Sequence, residues 1–412
     1  MKGKVLIMSQ FFPPETYAGA NRLGPMAEML AERFEVTVVT VRPSYPSPED
    51  YAGLLLEEHD AALPCRVLRA PAFRPHRGGM VFRTLREQAL AARLARRATG
   101  PADVVIASSP SMFLGPAGLA AARAKGAGFV WDVRDVTWGY ARDIVGHASP
   151  VMAAASRALE GCMRRVLRRA DLVVGASEGI TGMLVEAGAD PGRAVTVPNG
   201  ISSGLLREIR RAVPGPPQAK ARPLVAYAGL IGYNQHLGAL VEAARALPGA
   251  DFVVAGDGPE LPLLRRRAES LGLANVSFPG YLRREEVLAL YRRSDVLFAQ
   301  ARDAPAINAG MVPVKLFEYM AAGRPVVYAG RGLAVELLRR AGCAVTVPPE
   351  DPAALRGAID GLLRSPGLGR ELGRRGREFV CANCCRESLM EELSDALEER
   401  FFRRGAPVAV VP

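Results

Sequence analysis

The chain reads as an α/β protein built from two doubly wound domains, and three observations say so. A short apolar run, Val5–Met8, leads through a loop into a helical stretch and then a second strand, Val36–Val41. A strand–loop–helix–strand unit of this kind requires a parallel sheet, with ligands expected at the carboxyl ends of the strands. The same order restarts at Leu224–Ala228, where Gly229 to Gly232 introduce another helical stretch. Between the two, residues 203–223 carry Pro214-Gly215-Pro216-Pro217 and show no periodicity, the composition of a connector. The expected division is 1–205, a linker at 206–222, 223–385, and a closing helix within 386–412.

The totals fit that plan. At 412 residues the chain exceeds one ordinary core, and two domains of about 200 residues each follow. Hydrophobic residues make up 49% but aromatics only 6%, so the cores must be built from Ala, Leu and Val. The formal net charge of +11 favours anionic partners such as nucleotides or acidic lipid. Cysteines at 65, 162, 343, 381, 384 and 385 form no secreted-domain framework. Cys381, Cys384 and Cys385, placed where a helix is expected to begin, lack a second ligand pair at zinc spacing and read as reduced thiols. Met1-Lys2-Gly3-Lys4 runs directly into a strand, with no leader pattern. The apolar region 104–122 is broken by Pro110 and Pro116. A cytoplasmic protein is expected, with no cofactor and no metal.

Taken in order, the first half opens with Val5–Met8, then Phe11-Phe12-Pro13-Pro14-Glu15 and a Gly19 loop. The following helix keeps apolar positions Leu23, Met26, Ala27, Leu30 and Ala31 at helical spacing. No G-x-G-x-x-G is present, which argues against a nicotinamide dinucleotide. From Arg66 to Arg97, arginines stand at 66, 69, 74, 77, 83, 86, 93, 96 and 97, with His76 and the single acid Glu87. The piece from Val81 to Arg97 forms a basic amphipathic helix, suited to an anionic membrane surface or to plain solvation. Stacking aromatics are not interleaved with it, so no nucleic-acid partner is expected. Residues 102–109 form a buried strand ending at Ser108-Ser109. Residues 129–135 form the next, ending in Asp132, Arg134 and Asp135, with Trp138 beyond. Charged groups at a strand's carboxyl end are site candidates, or else an internal ion pair fixing the loop. A helix over 160–170, a strand over 171–176, a helix capped by Ser177 and a turn at Asn199-Gly200 complete this half.

In the second half Leu224–Ala228 is followed by Gly232, Asn234, Gln235 and His236, then a helix from about Leu237. Asp251–Ala255 precedes Gly256-Asp257-Gly258-Pro259-Glu260, where glycines allow close backbone approach to a ligand. A strand at 276–280 leads to Tyr281, a helix covers 288–294 and a strand 295–300. The remaining pattern is a strand at 344–347, a helix started by Pro352, and a terminal helix over 386–400.

The chain is organised around residues 312–327, V-P-V-K-L-F-E-Y-M-A-A-G-R-P-V-V. Pro313 suits the first helical position, Gly323 the C-terminal cap, and Pro325 the stop before a buried strand. Entered through Gly310-Met311-Val312, such a helix directs unpaired N–H groups at a phosphate. Lys315 lies in its first turn with Glu318 on the same face. The chain has 53 Lys plus Arg, yet lysine occurs only at 2, 4, 125, 220 and 315. A lysine at this helix start therefore points to a need for a compact charge. A carboxylate accepts two hydroxyl hydrogen bonds, so the pair suits a nucleoside diphosphate; an exposed ion pair on a core helix is the plainer alternative.

These residues resemble the signature of retaining GT-B glycosyltransferases, in particular the GT4 family and its bacterial surface-polysaccharide and glycolipid branch. The resemblance implies two facing Rossmann-like domains with a cleft between them, and a last helix crossing back to the first domain. In relatives a Glu-x7-Glu motif spans the donor site and its second Glu holds the ribose; Glu318 matches it, while Gly310 stands at the first, with Asp303 and Asn308 as replacement candidates. Relatives carry an Arg and a Lys in the loop that here reads Asn234-Gln235-His236, leaving the diphosphate to Lys315, backbone amides and polar side chains. The G-D-G-P-E run is a family hallmark, and the loop holding Tyr281 packs on the nucleobase. F-P-P-E with its glycine loop resembles the family's donor- and acceptor-facing loop, with Ala18-Gly19 for the usual double glycine. The donor set implied is Gly19, Gly232, Asn234, Gly258, Tyr281, Gly310, Met311, Val312, Lys315 and Glu318. Asn21, Arg22, Ser109, Asp132 and Trp138 fall on the acceptor side, and Asp135 and Arg134 join Lys315 and Glu318 as the reacting centre's residues. Asn21 and Arg22 have helix capping as their plain alternative.

The expected activity is transfer, with retention, from a nucleotide diphosphate sugar (UDP favoured) to a lipid, glycan or small-molecule alcohol acceptor. Front-face attack is implied, the diphosphate helping to accept the acceptor's proton. Peripheral contact with the inner face of a membrane through Arg66–Arg97 is part of that expectation. Two other readings stay open at this point: a nucleotide-sugar epimerase using Asp132 and Asp135, and a non-catalytic partner subunit suggested by Gly310.

Overall fold

The computed structural model describes residues 2–15, 18–44, 47–72, 80–138, 150–216 and 221–403. Within it the chain divides into two units, Met1–Asn199 with Glu387–Pro412, and Gly200–Arg386. Arg74, His76 and Arg77 of the basic stretch, and Lys220, lie outside the described residues.

The first unit holds a seven-stranded parallel sheet: β1 (Lys4–Ser9), β2 (Glu35–Val41), β3 (Arg66–Ala70), β4 (Val104–Ser108), β5 (Gly128–Val133), β6 (Leu172–Gly175) and β7 (Ala194–Thr196). Their spatial order is β3-β2-β1-β4-β5-β6-β7. Both faces are covered, so the strands read as near-continuous apolar runs. Side chains alternate between two cores. Leu6, Met8 and Val39 join Leu90, Leu94, Leu114 and Trp131 on one face. Val5, Ile7 and Val38 join Leu23, Met26 and Leu30 on the other, together with Met390, Leu393 and Leu397. Those last three belong to the helix Arg386–Leu397, and each fully buried aliphatic side chain stabilises by about 1.5–3 kcal/mol. The segment that follows seats Phe402 and Phe401 where Gly3 and Gly128 leave room: a Cβ at either glycine would lie 2.2 and 2.3 Å from those rings.

The second unit holds a six-stranded parallel sheet: β8 (Leu224–Ala228), β9 (Asp251–Ala255), β10 (Val276–Gly280), β11 (Val296–Gln300), β12 (Val326–Ala329) and β13 (Ala344–Val347). The order is β10-β9-β8-β11-β12-β13. Chain direction across the sheet reverses between β8 and β11, and a doubly wound sheet opens a ligand crevice at such a reversal.

Several expectations need correction. Residues Ser203–Ala212 are helical, with Ser202 Oγ accepting from the Leu205 amide at 3.2 Å. Leu205, Leu206, Ile209 and Val213 supply a helical spacing that the neighbouring prolines and basic residues obscure. The helix expected at 160 begins at Pro150. Cys381 lies in the last turn of a helix, Pro366–Asn383, instead of at a helix start, and all six cysteines are free. The regular helix of the organising stretch runs Lys315–Ala321, starting two residues beyond Pro313. The first-half helix begins at Ala18, so Gly19 sits inside its first turn and not in a loop. Among the described residues no helix is long and apolar enough to cross a membrane.

Candidate functional site

In the second unit, three loops converge at the reversal between β8 and β11. The loop after β8 is zipped to the loop after β9: Gly229 N donates to Ala255 O at 3.0 Å, Ile231 N to Asp257 O at 2.8 Å and Glu260 N to Ile231 O at 3.1 Å. Glycine makes this possible. At Gly256 (φ +132°) a Cβ would lie 1.9 Å from Gly229 O, and at Gly258 (φ +151°) 2.3 Å from Ile231 O. The end of β11 ties in the far side, buried Gln300 Nε2 donating to His236 O at 2.6 Å and Arg302 N to Asn234 O at 2.8 Å. Gly232 is buried and its amide donates to Gln235 Oε1 at 3.2 Å, while Asn234 is exposed. His236 Nδ1 stands 3.3 Å from Glu350 Oε1.

Lys315 reaches into this knot. Its Nζ donates to Tyr227 Oη at 2.5 Å and lies 3.8 Å from the centre of the Tyr227 ring. Tyr227 Oη in turn donates to Leu230 O. A Cβ on Gly229 (φ +138°) would come within 2.7 Å of Nζ, so a side chain there would be strained in its backbone and would displace the ammonium from its present position. Lys315 as a residue is half-buried, but its charged end is enclosed by these groups. Burial pulls its pKa down to about 7, against the opposing pull of Glu318. In front of it, Leu316 N and Phe317 N turn back onto Pro313 O and Val314 O. The amides of Val312, Val314 and Lys315 have no backbone acceptor among the described residues. Met311 to Val314 are half-buried and Gly310 is buried. One cation and three N–H groups without a backbone acceptor are donors of the kind an anion takes.

Glu318, one turn on, is held from the other side. Its Oε2 accepts from Arg284 Nη1 at 2.8 Å and from Tyr291 Oη at 3.2 Å. Its Oε1 has no hydrogen-bond partner among the described residues. A carboxylate oxygen retaining two lone pairs can take a vicinal diol. Opposite, the two candidates for the missing first carboxylate meet each other: Asn308 Nδ2 donates to Asp303 Oδ1 at 2.7 Å, and Arg331 Nε to Asp303 Oδ2 at 3.0 Å. Those contacts, the Asn308 hydrogen bond foremost, lower the Asp303 pKa. Tyr281 is exposed at the end of β10. The structure therefore brings Gly232, Asn234, Gly258, Met311 and Val312 on loops, and Lys315 and Glu318 on the adjoining helix, together in one unit. Gly229 and Gly256, glycines of the two loops read from the sequence as ligand-approaching, join them, and so do Tyr227, Arg284 and Tyr291, which the sequence does not single out. An arginine at a helix start and a tyrosine in an aliphatic strand were the available signals.

In the first unit the expected acceptor-side residues have different fates. Arg22 and Asp132 are fully buried and paired, Nη2 to Oδ1 at 2.9 Å. Asp132 Oδ2 also accepts from Ser108 Oγ at 2.6 Å, and Arg22 Nη1 donates to Val197 O at 2.9 Å. They form an internal ion pair between the first helix and the end of β5, a partnership that neither the helix-cap alternative for Arg22 nor the Arg134–Asp135 alternative at this strand end anticipates. Trp138 is buried and stacked on Trp131 at 5.3 Å. Ser109, also buried, accepts from the Arg134 amide at 2.8 Å. Asn21 is exposed; Arg134 and Asp135 are half-buried just past β5. Gly19 is buried in its helix, in this unit and not among the donor loops described above.

The family "Glycosyl transferases group 1" matches residues 210–379 and the family "Glycosyl transferase 4-like domain" matches 19–200. A GDP-mannose-dependent alpha-(1-6)-phosphatidylinositol monomannoside mannosyltransferase of Mycolicibacterium smegmatis is 25% identical over 98% of this chain and 100% of its own. For the Mycobacterium tuberculosis protein of the same name, the match is 29% identical and spans 40% of this chain and 44% of that protein. D-rhamnosyltransferase WbpZ of Pseudomonas aeruginosa is 28% identical over 44% of this chain and 48% of its own. In fold, the chain is similar to sucrose-phosphate synthase of Thermosynechococcus elongatus, with TM-score 0.74 at 19% identity over 97% of this chain and 99% of that one. It is also similar to Anabaena HepE in complex with UDP, TM-score 0.69 at 17% identity over 97% and 100%.

Proposed function

Because the chain belongs to the GT4-type glycosyltransferases of GT-B fold, we propose that it transfers a sugar from a nucleoside diphosphate sugar to a hydroxyl acceptor with retention of configuration. The observation that carries this is the Lys315 ammonium enclosed by Gly229 and Tyr227 beside three unspent amides, with a half-free Glu318 carboxylate one turn away. The diphosphate lies against Lys315 and those amides, and Glu318 Oε1 takes the ribose hydroxyls. As the bond from the anomeric carbon to the diphosphate oxygen breaks, charge grows on that oxygen, where fixed donors stabilise it most. The acceptor hydroxyl attacks from the same face and its proton passes to the departing diphosphate. With the chain in this family, the epimerase and partner-subunit readings are set aside.

The acceptor is lipid-linked or a glycan precursor, a reading supported by the phosphatidylinositol-mannoside acceptor named for the M. smegmatis relative. For the base, UDP is supported by the complexes of HepE, and GDP, the second reading, by the GDP-mannose dependence of that same relative. The test is nucleotide release from UDP-, GDP- and dTDP-sugars with and without a lipid-extract acceptor. Release that needs both donor and acceptor is expected for one base. A chain that binds none of these nucleotides in a thermal-shift panel sinks the proposal.

A further inference from the structure

The helix Arg284–Arg293 opens with cations, Arg283 at the cap and Arg284 in the first turn, where the helix dipole favours anions. Local preference gives Arg284 no reason to stand there. Its reason is long-range: Nη1 donates to Glu318 Oε2 at 2.8 Å, a contact between residues 34 apart in sequence. Two turns along the same helix face, Tyr291 donates to the same oxygen at 3.2 Å. Tyr291 is itself buried and set edge-on against Tyr319 at 5.5 Å, so its hydroxyl cannot wander. Burial disfavours the Arg284 charge, but Glu318 outweighs it and the guanidinium pKa is raised. Glu208, on the helix Ser203–Ala212, stands 3.5 Å from Arg284 Nε, an ion-pair distance without a hydrogen bond.

We propose that Arg284, assisted by Tyr291, is a positioning residue for the donor's ribose: it pins one oxygen of Glu318 and leaves Oε1 alone to accept the 2′- and 3′-hydroxyls. This rests on the reading that Glu318 holds the ribose. Two consequences follow from the geometry. A carboxylate with one oxygen fixed loses little rotamer freedom when the diol arrives. Its charge is also balanced by the guanidinium, so it does not repel the diphosphate at Lys315, three residues away on the same helix.

The experiment compares binding of UDP and GDP with their 2′-deoxy forms, by calorimetry on the full chain. The wild-type chain binds the ribo form of one nucleotide more tightly than its deoxy form. In Arg284→Met that preference falls on the order of tenfold, since one charge-assisted hydrogen bond no longer orders the carboxylate. KM for the donor rises by more than kcat falls. Arg284→Lys restores most of the preference, because a single ammonium can make the single contact. Tyr291→Phe, which keeps the packing, lowers the preference by a smaller factor. An unchanged ribo-to-deoxy ratio in Arg284→Met overturns the inference; if that variant fails to fold, an unchanged ratio in Tyr291→Phe does so. A wild-type chain that binds a nucleotide without preferring ribose overturns the role of Glu318 itself, and a chain that binds none of UDP, GDP and dTDP overturns the proposed function.

Discussion

In the proposed reaction Lys315 is the residue that meets the leaving group's charge. With its pKa drawn down to about 7 by burial, the free protein holds it part ammonium, part amine near neutrality, and an arriving diphosphate restores the proton. Nucleotide affinity should therefore weaken as pH rises from about 7 to 9, with proton uptake on binding visible as buffer-dependent heats. Lys315→Met should bind weakly and lose that slope; a slope that survives in the variant would assign it elsewhere. The same shift has a stability sign. The folded-state pKa lies below the ordinary value of 10.5, so between about 7 and 10.5 the unfolded chain binds more protons. The burial penalty is full below that window and fades as pH rises through it. Glu318→Ala should abolish turnover at an unchanged melting temperature, and wild-type turnover in that variant would refute the ribose assignment. Both residues were legible in the sequence, Lys315 by its rarity and Glu318 by its spacing. Their partners Tyr227 and Arg284 were not, since a pair across 88 or 34 positions leaves no local mark.

At the scale of elements, the site exists because two glycine loops interlock. Gly256→Ala forces a Cβ into Gly229 O and should cost about 2–4 kcal/mol in urea unfolding, while removing nucleotide-induced stabilisation. Gly272→Ala, also at positive φ (+64°) but facing open space, should cost about 1 kcal/mol and leave nucleotide binding intact. Equal effects of the two would remove the interlock from the explanation. The strands were readable because runs such as V-T-V-V-T-V have one interpretation in a sheet covered on both faces. The Ser203–Ala212 helix was not: Leu205, Leu206 and Ile209 sit among arginines, and burial of Ile209 and of the C-cap Val213 is what distinguishes it from a solvated connector.

For the whole molecule, the net charge of +11 is unevenly used. The helix Met80–Arg97 turns Leu90, Ala91 and Leu94 into the first unit's core while Phe82 and Leu85 stand 45% and 57% exposed near its start. Exposed apolar groups on an arginine-bearing helix suit an anionic lipid surface. Phe82→Ser with Leu85→Ser should reduce co-sedimentation with phosphatidylglycerol vesicles and leave phosphatidylcholine vesicles unaffected as the baseline. Raised salt should weaken the wild-type binding as well. Vesicle binding equal in both chains would leave this helix as a solvated face.

By itself the sequence determined the fold class, the repeat of strand, loop and helix, the family resemblance and the two candidate residues, Lys315 and Glu318, on one short helix. All of these are written in periodicity, in glycine and proline placement, or in the choice of lysine over arginine, which act over a few neighbouring residues. Only the tertiary structure decided which charges are available. It spent Arg22 and Asp132 on each other inside the first unit and fixed one oxygen of Glu318 while leaving the other open. Whether a charged group faces a ligand or its own protein depends on partners that meet only when distant segments fold together, because burial makes an unpaired charge too costly to keep.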